Sequence, residues 1–530
     1  MNSTDTQTTR RQILRRAGVI TLFTLISRIL GAVRDLVIAH VFGAGLATDA
    51  FVQAFTIPNV FRRLTAEGSM TLAFIPLYTE IRETQGRDKA KIFAQKVMGL
   101  VFWSTLGISL ACIVFSPQLV YLFAAGFADT PEQFDLTVWM TRLMFPYLIM
   151  ISLVAWAMGV LNAEKIFAAP AAAPILLNVA IIGFALGVAP LLEVPIIAVA
   201  WGVLVGGIAQ VILQIPSLRS IKQSIRPIVF WNDPEVSRLL RLLGPSIFGI
   251  AVYQINIIIL RNIASFLPSG QVTYYYNANR LTELVLGVFA VAFATATFPE
   301  LSEHTAQTDW VKIRSTVKWT IKSILFIILP ATAGLTAAAQ PIVAMLYLHG
   351  AYSVSDVTQT ATTLQAFAVG IPAIAVIRVQ ISLCYALKDT RTPVIISLFT
   401  MIITALLGWW WSKTHEVVGL ALGLSVGTWF QSLSLWATLR REPELREGWL
   451  PMTAIFKYTL ASCGIGALAW YASSFGDWDR GPFSLENWAR FSGILVGAVV
   501  LYPALLIALR DTTTQEWLKW FKKKLRKSSV

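Results

Sequence analysis

Cysteine, histidine and charge are all scarce in this 530-residue sequence, and each scarcity removes a class of function. The three cysteines, Cys112, Cys384 and Cys463, stand far apart, which excludes a disulfide framework and a thiolate metal cluster. They are expected to pack as small apolar side chains. The four histidines, His40, His304, His349 and His415, are scattered and form no ligand pair. Neither a phosphate-binding loop nor a dinucleotide fingerprint is present. The reading is therefore of a chain without enzymatic activity, without a metal and without a cofactor, driven by an ion gradient or the membrane potential. Charged residues make up 14% of the chain, against roughly a quarter in soluble domains, and acids are the scarcer sign, 29 against 43 Lys and Arg.

What replaces charge is apolar sequence: 56% of the residues are hydrophobic and 12% aromatic. A helical membrane span needs roughly 20 such residues, and fourteen runs of that kind recur along the chain. They cover 17–43, 47–78, 94–125, 136–162, 168–190, 194–216, 241–266, 271–300, 318–347, 358–386, 393–411, 416–438, 450–473 and 488–509. No small-residue cleavage site closes the first run, so it reads as an uncleaved span. The expected fold is an all-α integral membrane protein with 14 transmembrane helices.

A net charge of +14 in a soluble chain would suggest nucleic acid, so its placement decides its meaning. Counted with the basic residues that flank span ends, 31 Lys and Arg fall on the side that carries both termini, 7 of them in the tail from Arg510 to Lys527. The opposite loops hold 2, Lys413 and Arg480. This asymmetry puts both termini in the cytoplasm and reads as orientation and anionic-lipid contact, with no nucleic-acid partner.

The chain also resembles itself. "TLAFIPLYTE" aligns with "ATATFPELSE", pairing Pro76 with Pro299 and Glu80 with Glu303; "NAEKIFAAP" aligns with "YALKDTRTP", pairing Lys165 with Lys388 and Pro170 with Pro393. "WGVLVGGIAQ" aligns with "LGLSVGTWFQ", pairing Gly202 with Gly423, Gly206 with Gly427 and Gln210 with Gln431. Two six-helix lobes, 1–220 and 221–445, are expected, related by a pseudo-two-fold along the membrane normal because each copy holds an even number of spans. Two extra C-terminal helices and a basic cytoplasmic tail fill 446–530. Paired lobes around a midplane cavity suit alternating access; a duplicated scaffold without transport is the plainer reading.

Ten basic residues nevertheless lie within spans, where a central charge costs about 2.5–3.5 kcal/mol on insertion scales. In the first span Arg28, Gly31 and Asp35 fall on one helical stripe, with Arg34 about 100° away, which suggests a broad polar sector rather than one satisfied pair. The second span adds Asn59, Arg62, Arg63 and Glu67, with Pro58 expected to break the helix just before them. Arg63 and Glu67 suit a structural i,i+4 pair, leaving Arg62 as the better ligand candidate. The eighth span supplies Asn279, Arg280 and Glu283, and Arg280 with Glu283 also fits a structural pair. Arg142, Arg261 and Arg378 either touch substrate or brace helices. Lys457 and Arg490 lie near span ends and are expected to snorkel. Four internal acids, Asp35, Asp49, Glu67 and Glu283, are too few to neutralise this interior, so the cavity attracts an anion, and Arg forks suit phosphate or pyrophosphate oxygens.

At "SRILGAVRD", "GAGLATDAF", "IPNVFRRLTAEGSM", "AAGFADT" and "NRLTE" the sequence resembles the MurJ (MviN) family of bacterial lipid II flippases, in the superfamily that contains the MATE exporters. The resemblance runs over essentially the whole chain. It implies that the substrate is lipid II, the undecaprenyl-pyrophosphate-linked peptidoglycan precursor, moved from the cytoplasmic to the periplasmic leaflet. It implies substrate binding by Arg28, Arg34, Arg62 and Arg280, with Asp35, Asp49, Asn59, Arg63, Glu67, Asn279 and Glu283 in support. It further implies a bacterial inner-membrane location, membrane lipids and cell-wall synthesis proteins as partners, and a groove for the lipid tail along spans 13 and 14. Asn279 stands where some relatives carry an acid, and span 7 has no acid where some members bind sodium. A flippase for another polyprenyl-linked glycan, an exporter of anionic compounds and a cell-wall assembly scaffold are the other readings.

Overall fold

The computed structural model describes residues 3–65, 73–228, 233–446, 449–511 and 514, and all secondary structure among them is helical. The chain divides into two compact units, Met1–Val272 and Thr273–Val530. In chain order the helices are α1 (Ser3–Phe42), α2 (Leu46–Thr65), α3 (Ile75–Gln85), α4 (Arg87–Val114), α5 (Ser116–Phe123), α6 (Pro131–Met144), α7 (Pro146–Ala163), α8 (Ala168–Gly187), α9 (Ile197–Ser220) and α10 (Pro234–Ser265). There follow α11 (Gln271–Val285), α12 (Val291–Ala306), α13 (Trp310–Ala337), α14 (Ala339–Tyr347), α15 (Val354–Ala368), α16 (Ile371–Ala386), α17 (Arg391–Leu439), α18 (Met452–Ser473) and α19 (Leu485–Ala508). Among the described residues, nine helical segments are long and apolar enough to cross a membrane. This is a multi-pass membrane protein.

Several apolar runs that read as single spans are built from two helices. The run 94–125 is α4 and α5, joined at Phe115 (φ −90°, ψ 21°), whose N–H donates to the Ala111 carbonyl. The run 136–162 is α6 and α7, and 358–386 is α15 and α16. Proline stands in the first turn of α5, α7 and α16, where its missing N–H is harmless and its fixed φ favours a fresh helix start. Apolar side chains continue across each join, so hydropathy alone does not reveal it. Pro58 behaves differently from expectation: α2 runs through it, and the Asn59 side-chain amide donates to the Phe55 carbonyl at 2.7 Å.

The internal repeat recurs in the helix boundaries. The 28-residue helices α4 and α13 start at 87 and 310, a separation of 223, and both end at a non-helical residue, Phe115 or Ala338, donating four residues back. The same separation relates the starts of α5 and α14, of α6 and α15, and the ends of α7 and α16. Lys165 and Lys388 both take the left-handed conformation at φ 63°. In each turn the next amide reaches back five residues, from Ile166 to Leu161 at 2.8 Å and from Asp389 to Cys384 at 2.9 Å.

The glycine pairs mark where helices approach closely. In the first unit a Cβ on Gly202 or Gly206 would lie 2.9 Å from the Cα of Ile181 or Leu177, so α8 and α9 pack backbone to backbone. In the second unit both arms of the equivalent hairpin belong to α17, whose 49 residues would span about 73 Å if straight. Glu416 (φ 48°, ψ −133°) reverses it, and a Cβ on Gly423 would meet the Gly408 nitrogen at 2.6 Å.

Candidate functional site

On α1 the two arginines have different surroundings. Arg28 is exposed at the protein surface. Arg34 and Asp35 are 6% and 7% exposed, and Arg34 holds the Asp35 Oδ1 through Nε at 3.0 Å and Nη2 at 2.7 Å. Its Nη1 donates to the Asn178 Oδ1 at 3.3 Å, and Asn178 donates in turn to the Ser27 carbonyl at 3.2 Å. The broad polar sector expected here is instead a formed ion pair, because the long Arg34 side chain bridges the angle between adjacent positions. Asn178 sits on α8, which packs along α1. No sequence spacing announces it, since the partners are 144 residues apart.

Gly43, in the left-handed region at φ 64°, ends α1 and allows the chain to enter α2. Asp49, 1% exposed in the first turn of α2, accepts the Gly270 N–H at 2.6 Å. One turn on, Gln53 donates to the Arg261 carbonyl at 2.9 Å. Asp49 and Gln53 thus fasten α2 to α10 and to the turn after it. Arg62 is half-buried, with its Nε donating to the Asn59 Oδ1 at 3.0 Å, and Arg63 beside it is also half-buried. Glu67, and with it the expected Arg63 pair, lies outside the described residues.

In the second unit the polar cluster is built within α11. Arg280 reaches Glu283 Oε2 at 3.3 Å, with the two side chains 39% and 47% exposed. Its Nε donates to the Tyr276 hydroxyl at 3.2 Å, and its guanidinium lies 5.2 Å from the centre of that ring. Asn279 donates to the other Glu283 oxygen at 3.1 Å. Tyr276 was missed in the sequence reading, although its i,i+4 spacing to Arg280 is a readable signal. Directly after this cluster the helix widens to a π-turn over Leu286–Ala290, a device frequent at functional positions.

Other basic groups brace the structure. Arg142 donates to the Ser116 hydroxyl at 2.7 Å, tying α6 to α5, and Lys457 donates to the Arg510 carbonyl at 3.1 Å. Arg490 pairs with Glu486 on α19. The Arg261 side chain is buried, while that of Arg378 is exposed. Cys112 and Cys384 are buried and Cys463 is exposed.

The arrangement therefore separates arginines that hold the fold from those that present donors outward. Guanidinium forks on Arg28 and Arg280 offer planar, paired donors matched to anionic oxygens. Such groups, carried by a multi-pass helical membrane protein with broken helices, place the chain with membrane proteins of a recognisable fold. A solved structure described as "Lipid II flippase MurJ, inward closed conformation" shares this fold, with a TM-score of 0.76 over 93% of this chain and 99% of that one at 24% identity. A multidrug resistance MATE family transporter of the MOP superfamily aligns with a TM-score of 0.66 over 81% of this chain and 99% of that one at 15% identity.

The sequence narrows the class. Residues 38–486 match the family described as lipid II flippase MurJ. The lipid II flippase MurJ of Burkholderia cenocepacia is 35% identical over 504 residues, 93% of this chain and 97% of the relative. The probable lipid II flippase MurJ of Haemophilus influenzae is 32% identical over 504 residues, 92% and 98% of the two chains. The chain belongs to the MurJ family.

Proposed function

We propose that this protein is a lipid II flippase, carrying the undecaprenyl-pyrophosphate-linked peptidoglycan precursor from the cytoplasmic to the periplasmic leaflet. The observation that carries the reading is the family match over 38–486, together with relatives of that description aligned along nearly the full chain. In this reading the protein is a transporter rather than an enzyme, in the service of cell-wall synthesis at the bacterial inner membrane.

In this reading fourteen spans form two lobes, 1–220 and 221–445, related along the membrane normal, with α18 and α19 outside the repeat and both termini cytoplasmic. The repeated helix boundaries support the two-copy part, and the excess of Lys and Arg on one side supports the orientation. Arg28, Arg34, Arg62 and Arg280 bind the pyrophosphate, and rocking of the lobes moves the head group while the tail stays in lipid. Asp35 and Asn178 hold Arg34 in place, Asn59 orients Arg62, and Glu283 with Asn279 and Tyr276 orients Arg280. Asp49 fixes the entry of α2, and Arg63 and Glu67 add local charge balance.

Acute depletion of the protein, followed by a leaflet-accessibility assay for lipid II, tests the assignment. Lipid II should accumulate on the cytoplasmic face. Normal accessibility with a different polyprenyl-linked glycan trapped would reassign the substrate, and normal accessibility of all of them would leave a scaffold role. Arg28→Glu should abolish growth complementation while the folded protein persists in the membrane, whereas a fully active variant with all four arginines replaced by Ala would sink the site.

A further inference from the structure

A second site lies in the first unit, away from the arginines. Between α4, α7, α9 and the segment 221–228 is a cavity of about 290 Å³, lined by Met98, Phe102, Leu153, Ala157, Ile215 and Ile225 among others. That is near the lower end of the roughly 300–1,000 Å³ range of small-ligand pockets. Its walls are almost wholly apolar, so it suits hydrocarbon and not a head group. Phe102, Leu153 and Ile215 are only partly buried and Ile225 is exposed, so the cavity opens to the surface.

The segment over its mouth is built rather than incidental. Gln223, 4% exposed, donates to the Lys91 carbonyl at 3.3 Å. Gly99 leaves the room that the Ile228 carbonyl occupies; a Cβ there would lie 2.1 Å from that oxygen. Lys222 in the left-handed region (φ 57°) closes the end of α9, with the Gln223 N–H reaching back to Leu218 at 3.0 Å. This turn sets Arg219, Lys222 and Arg226 on the surface as three exposed cations. No acid occurs between 219 and 226. An apolar slot beside three exposed cations has the charge and polarity order of an anionic glycerophospholipid.

We propose that this cavity takes one acyl chain of an anionic glycerophospholipid from the adjacent leaflet, with Arg219, Lys222 and Arg226 holding its phosphate head. The site is independent of the substrate arginines and of the flippase reading.

The test places the full-length protein in phosphatidylcholine nanodiscs that carry a trace of phosphatidylglycerol or phosphatidylcholine with a diazirine at the end of one acyl chain. After photolysis the labelled residues are mapped by mass spectrometry. The phosphatidylglycerol probe should label the stretches around Leu153, Ala157 and Ile215 in preference to the phosphatidylcholine probe. Each cation near an anionic head is worth about fivefold, so changing all three to Gln should bring the two probes to equal labelling. Ala157→Trp should remove labelling by both by filling the slot. Should that variant fail to fold, the Gln variant, altered only at exposed positions, decides alone. Equal labelling by both probes in the unaltered protein, labelling elsewhere, or a preference that survives the Gln changes would overturn the proposal.

Discussion

Arg34 and Arg280 make opposite use of the same chemistry. Each meets a nearby carboxylate on its own helix, but Arg34 and Asp35 are under a tenth exposed while Arg280 and Glu283 are 39% and 47% exposed. Inside the first unit, the guanidinium is also tied to α8 through Asn178, so the pair is part of how α1 docks. In the second unit the pair lies along α11 with Asn279 and Tyr276 of the same helix, and both of its side chains stay well exposed. A shared motif of arginine beside acid therefore does not say how firmly the charge is held; burial decides it.

The largest effect should come from breaking the buried pair one side at a time. Asp35→Ala leaves Arg34 with an uncompensated buried charge and should cost about 3–5 kcal/mol, read as a large fall in the thermal midpoint of the purified protein. Replacing both residues by apolar side chains of similar volume should recover much of it. If the single change leaves the midpoint unmoved, the buried pair is not what secures α1.

A smaller loss is expected where the start of α10 is tied to α3 and α4. Asp233 caps that helix by accepting the Glu235 and Val236 amides at 3.0 Å, and it pairs with Lys96. Burial pushes its carboxyl up, but Lys96 and the two amides outweigh this and hold it below the usual aspartate range. Arg238 likewise grips Glu80 through two bonds of 2.8 and 2.9 Å and holds its carboxyl low. Because both folded values are depressed, their stabilisation is present above the ordinary carboxylate values and fades as pH falls below them. The hydrogen-exchange protection factor across 234–240, which removes the intrinsic slowing of exchange in acid, should fall as pH drops, and Asp233→Ala should lower it at neutral pH, at about 1 kcal/mol for the lost cap.

The exposed pair should barely register in stability. Glu283→Ala removes an interaction worth about 0–1 kcal/mol in solvent, so the thermal midpoint should move little. Its effect belongs in complementation, since Arg280 loses the group that orients it. A collapse in stability with activity intact would invert the contrast with Arg34.

How much of this was legible in the sequence depended on how local the cause was. Long apolar runs and the repeated motifs follow from side-chain chemistry along the chain. The i,i+3 and i,i+4 contacts of Arg280 follow from helix geometry. The joins at Phe115 and Ala338 were hidden because apolar sequence continues through them, and Pro58 misled because a side-chain amide accompanies the helix past it. Asn178 was out of reach, being brought to Arg34 only by the packing of α8 on α1.

The finest comparison is between the two lysine turns. Lys165 and Lys388 share φ 63° and the same five-residue backbone bond, a conformation that costs an L-residue roughly 1–2 kcal/mol and glycine nothing. Glycine loses about 0.5–1 kcal/mol of that advantage through the freedom it gains in the unfolded chain. Lys165→Gly and Lys388→Gly should each therefore stabilise by about 0–1.5 kcal/mol, and by similar amounts, if the backbone alone sets the strain. Their surroundings differ, however. Glu164, beside Lys165, accepts from the Tyr78 hydroxyl and pairs with Arg82, whereas Asp389, beside Lys388, accepts the Arg391 and Thr392 amides that open α17. Unequal shifts in the thermal midpoints of the two variants would mean that these neighbours, and not the repeated backbone, set the load on each turn.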